Sequence, residues 1–327
     1  MAFVNKFEFA PAPWLPLQDR EMLDTVLKYD FYEHQNDKFE NSDFSYKIVY
    51  DVHNYFAADL FYRIKCSDAE NKKLVMILPS PENAVFISLA DTLSKYQVSC
   101  RNVEVFFLYE YANEKGEVAP WQSPYSRSGQ FMKYFYNRLD PALRMPMSQI
   151  HFFTTENVAT YSDEIAAMGG ADVAYTAMSW SGGIGAIDAE SFAAASMDEF
   201  MKMGSRVVTP MPELIAHDSL RGMFGCSGDI GNVPPCCATI GPKDLVAAKE
   251  HIGVQYLTAC GGNPAQQKPM LKLALFGPLA PNNPGSLMRL LPGICYISED
   301  VARPAVYSED IPWLEGKLEE IRQKEAK

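Results

Sequence analysis

The run Leu74-Val-Met-Ile-Leu78 is uninterrupted apolar sequence of strand length, stopped by Pro79 and Pro81. A strand that is apolar on both faces has to be covered on both faces, which points to a parallel sheet with helices packed against it. The pattern recurs downstream. A helix is expected over Ala84–Tyr96, then a second buried strand over Val103–Leu108, a helix over Gly129–Leu139 and a strand over Ile150–Thr154. After a helix at Asn157–Met168 come strands at Val173–Met178 and Arg206–Thr209. The C-terminal part continues with helix Pro242–His251, strand Gln255–Cys260, helices Ala265–Phe276 and Gly285–Leu291, and strand Gly293–Ile297. Strands alternating with helices predict an α/β fold: a doubly wound, mainly parallel twisted sheet with helices on both faces, Rossmann-like.

Upstream, helices are expected near Gln18–Lys28 and over Val49–Cys66, and Ile311–Lys327 reads as a charged surface helix. The expected organisation is an N-terminal arm and helix over 1–48, one α/β domain over 49–300 and a C-terminal helical tail over 301–327.

The formal charge of -12 disfavours a broad nucleic-acid-binding face, so any anionic ligand must be met by a local cation. No apolar run has the length of a membrane span, and Met1 to Trp14 lacks the apolar core of a secretory signal. A cytoplasmic location is therefore expected, without membrane or nucleic-acid partners. The 7 cysteines form no CxxC pair and the 5 histidines show no HExxH spacing, so no metal is expected. Gly182-Gly-Ile-Gly185 completes neither GxGxxG nor a P-loop, and no cofactor is expected either.

In doubly wound folds, ligands sit beyond the carboxyl ends of the strands. That directs attention to Pro79–Asn83, Tyr109–Tyr111, Ser179–Asp188 and Cys260–Lys268. Four segments, Val103–Tyr111, Val233–Lys249, Gly277–Pro284 and Leu291–Asp300, follow one another in an order and spacing that resembles the glucosamine-6-phosphate deaminase/isomerase family, related to 6-phosphogluconolactonases. The resemblance covers residues 73–300. It implies a twisted parallel sheet, assembly as a homo-oligomer, and a reaction that opens the sugar ring, shifts a proton between C2 and C1 and releases ammonia. That chemistry needs a phosphate clamp, a carboxylate base and a histidine–carboxylate relay.

This chain departs from the family at each of those places. Where the family's phosphate loop reads Gly-Ser-Thr-Pro, it has Pro81-Glu82-Asn83-Ala84 after Ser80. Proline removes an N–H donor and Glu82 sets a carboxylate where a phosphate would lie. The family's Asp-Glu-Tyr motif becomes Tyr109-Glu110-Tyr111, with a phenol at the base position. A phenol, with a pKa near 10, is a poor base at neutral pH. Glu110 is the substitute candidate, although adjacent strand residues point to opposite faces. In the third motif the family's aspartate and histidine become Ser181 and Gly183 around a matching Gly182, and its glutamate becomes Asp188. The family's cationic contacts fall near Arg221 and Lys268.

The resemblance thus implies a pocket of Ser80, Glu82, Asn83, Tyr109, Glu110, Ser181, Gly182, Gly183, Asp188, Arg221 and Lys268, with Glu110 and Asp188 the catalytic candidates. The expected function is binding of a small sugar or sugar-phosphate ligand, in a regulatory role, with ordinary deaminase activity lost or weak. The alternatives are an active carbohydrate enzyme of isomerase, deaminase or lactonase type with an altered substrate, and a structural subunit of an oligomer with an active paralogue.

Overall fold

The computed structural model describes residues 10–12, 15–79, 83–187, 194–220, 224–225, 227–255, 268–303 and 323. Its strands, in chain order, are β1 (Phe44–Val49), β2 (Leu74–Leu78), β3 (Val103–Phe107), β4 (Tyr109–Ala112), β5 (Ile150–His151), β6 (Val173–Thr176), β7 (Arg206–Val208), β8 (Cys236–Thr239), β9 (His251–Gln255) and β10 (Gly293–Ser298). The helices are α1 (Arg20–Val26), α2 (Val52–Glu70), α3 (Asn83–Tyr96), α4 (Arg127–Phe131), α5 (Tyr161–Ala167), α6 (Met197–Phe200), α7 (Pro212–Ser219), α8 (Pro242–Val246), α9 (Lys268–Phe276) and α10 (Glu299–Ala302).

Seven strands form one parallel sheet in the order β1-β10-β9-β6-β2-β3-β5, and β4-β8-β7 form a small antiparallel sheet. The expected doubly wound, mainly parallel sheet flanked by helices is the one observed. Every residue of β2 is buried, as its apolar sequence requires. Against it lie Phe56, Leu60 and Ile64 of α2 and Phe86, Leu89 and Leu93 of α3, at 0–2 % exposure. Burial of each such side chain stabilises the fold by about 1.5–3 kcal/mol. Among the described residues no helix is long and apolar enough to cross a membrane.

Several elements differ from the sequence reading: β4 and β8 of the small antiparallel sheet were not anticipated, and the helix expected at Gly129–Leu139 is α4 followed by a π-helical turn over Met132–Tyr136. β1 was not anticipated, and the expected boundary between arm and domain falls inside it. Phe44 and Tyr46 are buried while Ser45 and Lys47 are exposed, a period-two pattern short enough to be lost among the surrounding polar and aromatic residues. The strand expected at Gln255–Cys260 starts earlier, at His251, and the preceding helix stops at Val246. Local helix propensity in Ala247-Ala248-Lys249 yields to pairing of β9 with β6 on one side and β10 on the other. The helix expected at Gly285–Leu291 is a 3₁₀ turn over Pro284–Leu290. The expected C-terminal helix lies outside the described residues apart from residue 323.

The N-terminal segment is fastened to the domain. Phe31, Phe44 and Tyr46 join Leu271, Leu275 and Ile297 in a second apolar cluster, and the Tyr46 hydroxyl donates to the Phe31 carbonyl at 2.6 Å. The Lys272 ammonium donates to the Leu27 carbonyl (2.7 Å), at the end of α1.

Candidate functional site

β3 passes directly into β4, which leaves the parallel sheet and carries Tyr109, Glu110 and Tyr111 into the small one. Strand alternation sends Glu110 one way and the two tyrosines the other. The Glu110 carboxylate is 1 % exposed and accepts from the N–H groups of Tyr111, Arg127 and Ser128, each at 2.9 Å. The hydroxyls of Ser126 and Ser128 add bonds of 2.7 Å each. Ser126 in turn caps α4 by accepting from Gly129 N–H. Glu110 therefore fixes the start of α4, and its lone pairs are committed to that task.

On the opposite side, the Tyr109 and Tyr111 hydroxyls donate to Asp218 of α7 at 3.2 and 2.9 Å. The Arg127 guanidinium donates to the same carboxylate and to the Tyr111 oxygen, both at 2.9 Å, and lies 3.8 Å from the centre of the Tyr109 ring. Arg127 and Asp218 are 2 % and 1 % exposed. Burial by itself would push the guanidinium down, but Asp218, Tyr109 and Tyr111 more than offset it and hold Arg127 above its ordinary value. The arrangement supports a buried ion pair with aromatic hydroxyls and a cation–π contact, leaving Arg127 Nε without an acceptor among the described residues.

The loop after β6 supplies the third component. Met178 bridges to Ile184, Ser179 N–H donates to the Gly183 carbonyl (3.1 Å), and Gly182 N–H donates to the Ser179 carbonyl (3.1 Å). Gly182 closes this turn at φ +76°, a conformation that L side chains rarely adopt. Gly285 allows the 3₁₀ turn to pack on it, since a Cβ there would lie 2.6 Å from the Gly182 carbonyl oxygen. Trp180 and Ser181 form the tip of the turn. The Trp180 indole stacks on His217 of α7, ring centres 5.2 Å apart at 9°.

On the other side of Trp180 is a cavity of about 270 Å³, walled by the N-terminal segment, α9, Trp180-Ser181-Gly182, Glu213 and Asn282-Asn283-Pro284. Burial pushes the Glu213 carboxyl above its usual value.

The expected pocket residues are distributed unevenly over this geometry. Ser181 and Gly182 line the cavity. Tyr109 belongs to the ion-pair network, Glu110 to the α4 anchor and Gly183 to the turn. Asn83 opens α3 and is exposed. Lys268 opens α9, is 5 % exposed, and donates to the Arg303 carbonyl, with burial and then Lys272 holding its pKa down. Ser80, Glu82, Asp188 and Arg221 lie outside the described residues. Sequence reasoning missed Arg127, Asp218, Trp180 and Glu213. Only the adjacent His217-Asp218 pair offered a signal, and no spacing tied it to Tyr109 a hundred residues upstream.

The chain matches no protein-family profile and no curated relative at a significant level. Its architecture does match solved structures. A monomeric glucosamine-6-phosphate deaminase superposes with a TM-score of 0.61 at 15% identity, covering 78% of this chain and 98% of that one. The 6-phosphogluconolactonase of Thermotoga maritima gives 0.53 at 12% identity over 78% and 100% of the two chains, and that of Leishmania guyanensis 0.54 at 10% over 80% and 98%. The fold is thus that of a sugar-phosphate deaminase or lactonase. The resemblance read from the four sequence segments holds at the level of the fold, to which identities this low confine it.

Proposed function

We propose that this chain binds a sugar or sugar-phosphate ligand beyond the carboxyl ends of its central strands and that ordinary deaminase turnover is lost or weak. The fold likeness to deaminases and lactonases supports the ligand class. The state of Tyr109 supports the loss of turnover. It stands where the family places its carboxylate base, and its hydroxyl is committed as a donor to Asp218 at 3.2 Å under the Arg127 guanidinium. A phenol so engaged does not take a proton from carbon at neutral pH. Glu110 is no replacement, because its two oxygens accept five hydrogen bonds, four from the start of α4 and one from Tyr111 N–H. Regulation through the bound sugar, a cytoplasmic location and a homo-oligomer belong to the same reading.

The test is a calorimetric titration of the full chain with glucosamine 6-phosphate, with ammonia assayed in the cell afterwards. Saturable heat without ammonia is expected. Sustained heat accompanied by ammonia overturns the proposed loss of turnover.

A further inference from the structure

The cavity between the N-terminal segment and α9 shares only Ser181 and Gly182 with the pocket expected for that reading, which leaves the rest of its wall unused. Its described wall is dominated by Leu17, Leu23 and Leu27 on one side, Met270 and Leu273 of α9 on the other, and the Trp180 indole at the end. Most polar groups that border it are already engaged with each other or with backbone. Arg20 Nε donates to the Asp24 carboxylate at 3.0 and 3.1 Å. The Asn282 amide donates to the Pro16 carbonyl (3.2 Å), and the Asn283 amide to the Leu273 carbonyl (2.7 Å). Ser181 Oγ is 2.6 Å from Ser179 Oγ. What remains is apolar surface and two groups without a hydrogen-bond partner among the described residues, the indole N–H of Trp180 and one oxygen of the half-buried Glu213 carboxyl.

We propose that this cavity is a binding site for a small, uncharged, mainly apolar molecule, with residues 15–27 forming one of its walls. Apolar surface held open in a concave wall is the usual basis of small-molecule affinity, with a few polar groups setting selectivity. Here selectivity runs against anions. The wall carries two carboxyls, Asp24 and Glu213, against a single cation, Arg20, that is already paired with Asp24. Burial pushes the Glu213 carboxyl up, as in a wall poorly supplied with water. The site is separate from the Tyr109 network, since neither Tyr109, Arg127 nor Asp218 borders it, and Trp180 stands between the two through its stacking on His217.

The experiment titrates the full chain with two fluorescent probes of one ring framework. One is neutral N-phenyl-1-naphthylamine; the other, 1-anilinonaphthalene-8-sulfonate, adds a sulfonate. The neutral probe is expected to bind saturably and about tenfold or more tighter than the sulfonate, which would bring a charge into an apolar, acidic wall. Met270→Trp and Leu23→Trp fill the space from opposite walls, and each is expected to weaken the neutral probe about tenfold or more. Both variants are first shown to melt cooperatively near the wild-type temperature. Heat from glucosamine 6-phosphate is expected to be the same in Leu23→Trp, on the wall away from Ser181 and Gly182, as in wild type, so that this proposal and the sugar-ligand reading fail separately. No saturable binding of the neutral probe, equal affinity for the two probes, or undiminished affinity in both folded variants each overturns the proposal.

Discussion

On one side of Trp180, polar groups from β4, α4 and α7 are buried against one another: two phenols, a guanidinium and a carboxylate, drawn together within 3.2 Å contacts. On the other side, leucine, methionine and proline side chains surround about 270 Å³ of space. The first arrangement is closed because it must be. A buried ion pair recovers its desolvation only when its partners are present, and here all but the Arg127 Nε donor is drawn into mutual bonds. The second can stay open because its wall is mainly apolar, with only the Trp180 indole N–H and one Glu213 oxygen left without a hydrogen-bond partner among the described residues.

Removing one partner from the network should produce the largest effect in the molecule. Asp218→Ala leaves the Arg127 guanidinium buried without its carboxylate, and a loss of about 3–5 kcal/mol is expected from urea denaturation. The double variant Arg127→Met/Asp218→Leu should lose clearly less, because it removes both charges together. A single variant that costs under about 1 kcal/mol would remove the contrast between the two sides.

The next effect defines the pH range in which that contrast can be measured. His251 of β9 is 1 % exposed and bonds Thr176 Oγ1 at 2.7 Å. Burial pushes its pKa down from 6.5 to about 4. The unfolded chain then binds the extra proton first, so stability is complete above pH 6.5 and is lost as pH falls from 6.5 to 4. A shift of that size corresponds to about 3 kcal/mol. Melting curves across this range should flatten in His251→Gln, and an unchanged slope in that variant would assign the acid sensitivity elsewhere.

Glu110 offers a finer comparison, between an anchor and the ion pair behind it. Glu110→Gln keeps the shape but turns one oxygen into a donor that faces either the Tyr111 and Arg127 N–H groups or the Ser128 N–H and the two serine hydroxyls. A loss of roughly 2 kcal/mol is expected, without change in binding of the neutral probe at the cavity. Weaker probe binding in that variant would mean that the two sides of Trp180 are coupled.

How much of this could be read from the sequence depends on range. β2 and β3 were legible because a strand covered on both faces shows it in five consecutive residues. The opposed directions of Tyr109 and Glu110 were legible from the period of a strand. β1 was not, since an edge strand with alternating polar residues looks like the loop around it. The cavity was invisible for a related reason: its walls are α1 and α9, more than two hundred residues apart, joined by contacts such as Lys272 to Leu27 that no local pattern encodes. The same holds for Arg127, whose Ser-Arg-Ser-Gly surroundings read as an exposed loop until Glu110 and Asp218 draw the side chain and its backbone inward.

The smallest expected effect belongs to Glu213, the carboxyl on the cavity wall. Burial raises its pKa in the folded state, so the folded chain binds the proton more tightly than the unfolded one. Stability from this group is therefore greatest at low pH and declines as pH rises from the ordinary carboxylate range through the raised value. The side chain is only half-buried and solvent screens it, which limits the effect to less than about 1 kcal/mol. His251 works in the opposite direction over an overlapping range, so a single melting curve conflates the two. The difference between wild type and Glu213→Gln isolates the carboxyl: the variant should gain relative stability as pH rises above the carboxylate range. A difference that is flat with pH would mean that Glu213 is solvated, and that stretch of the cavity wall would not be dry.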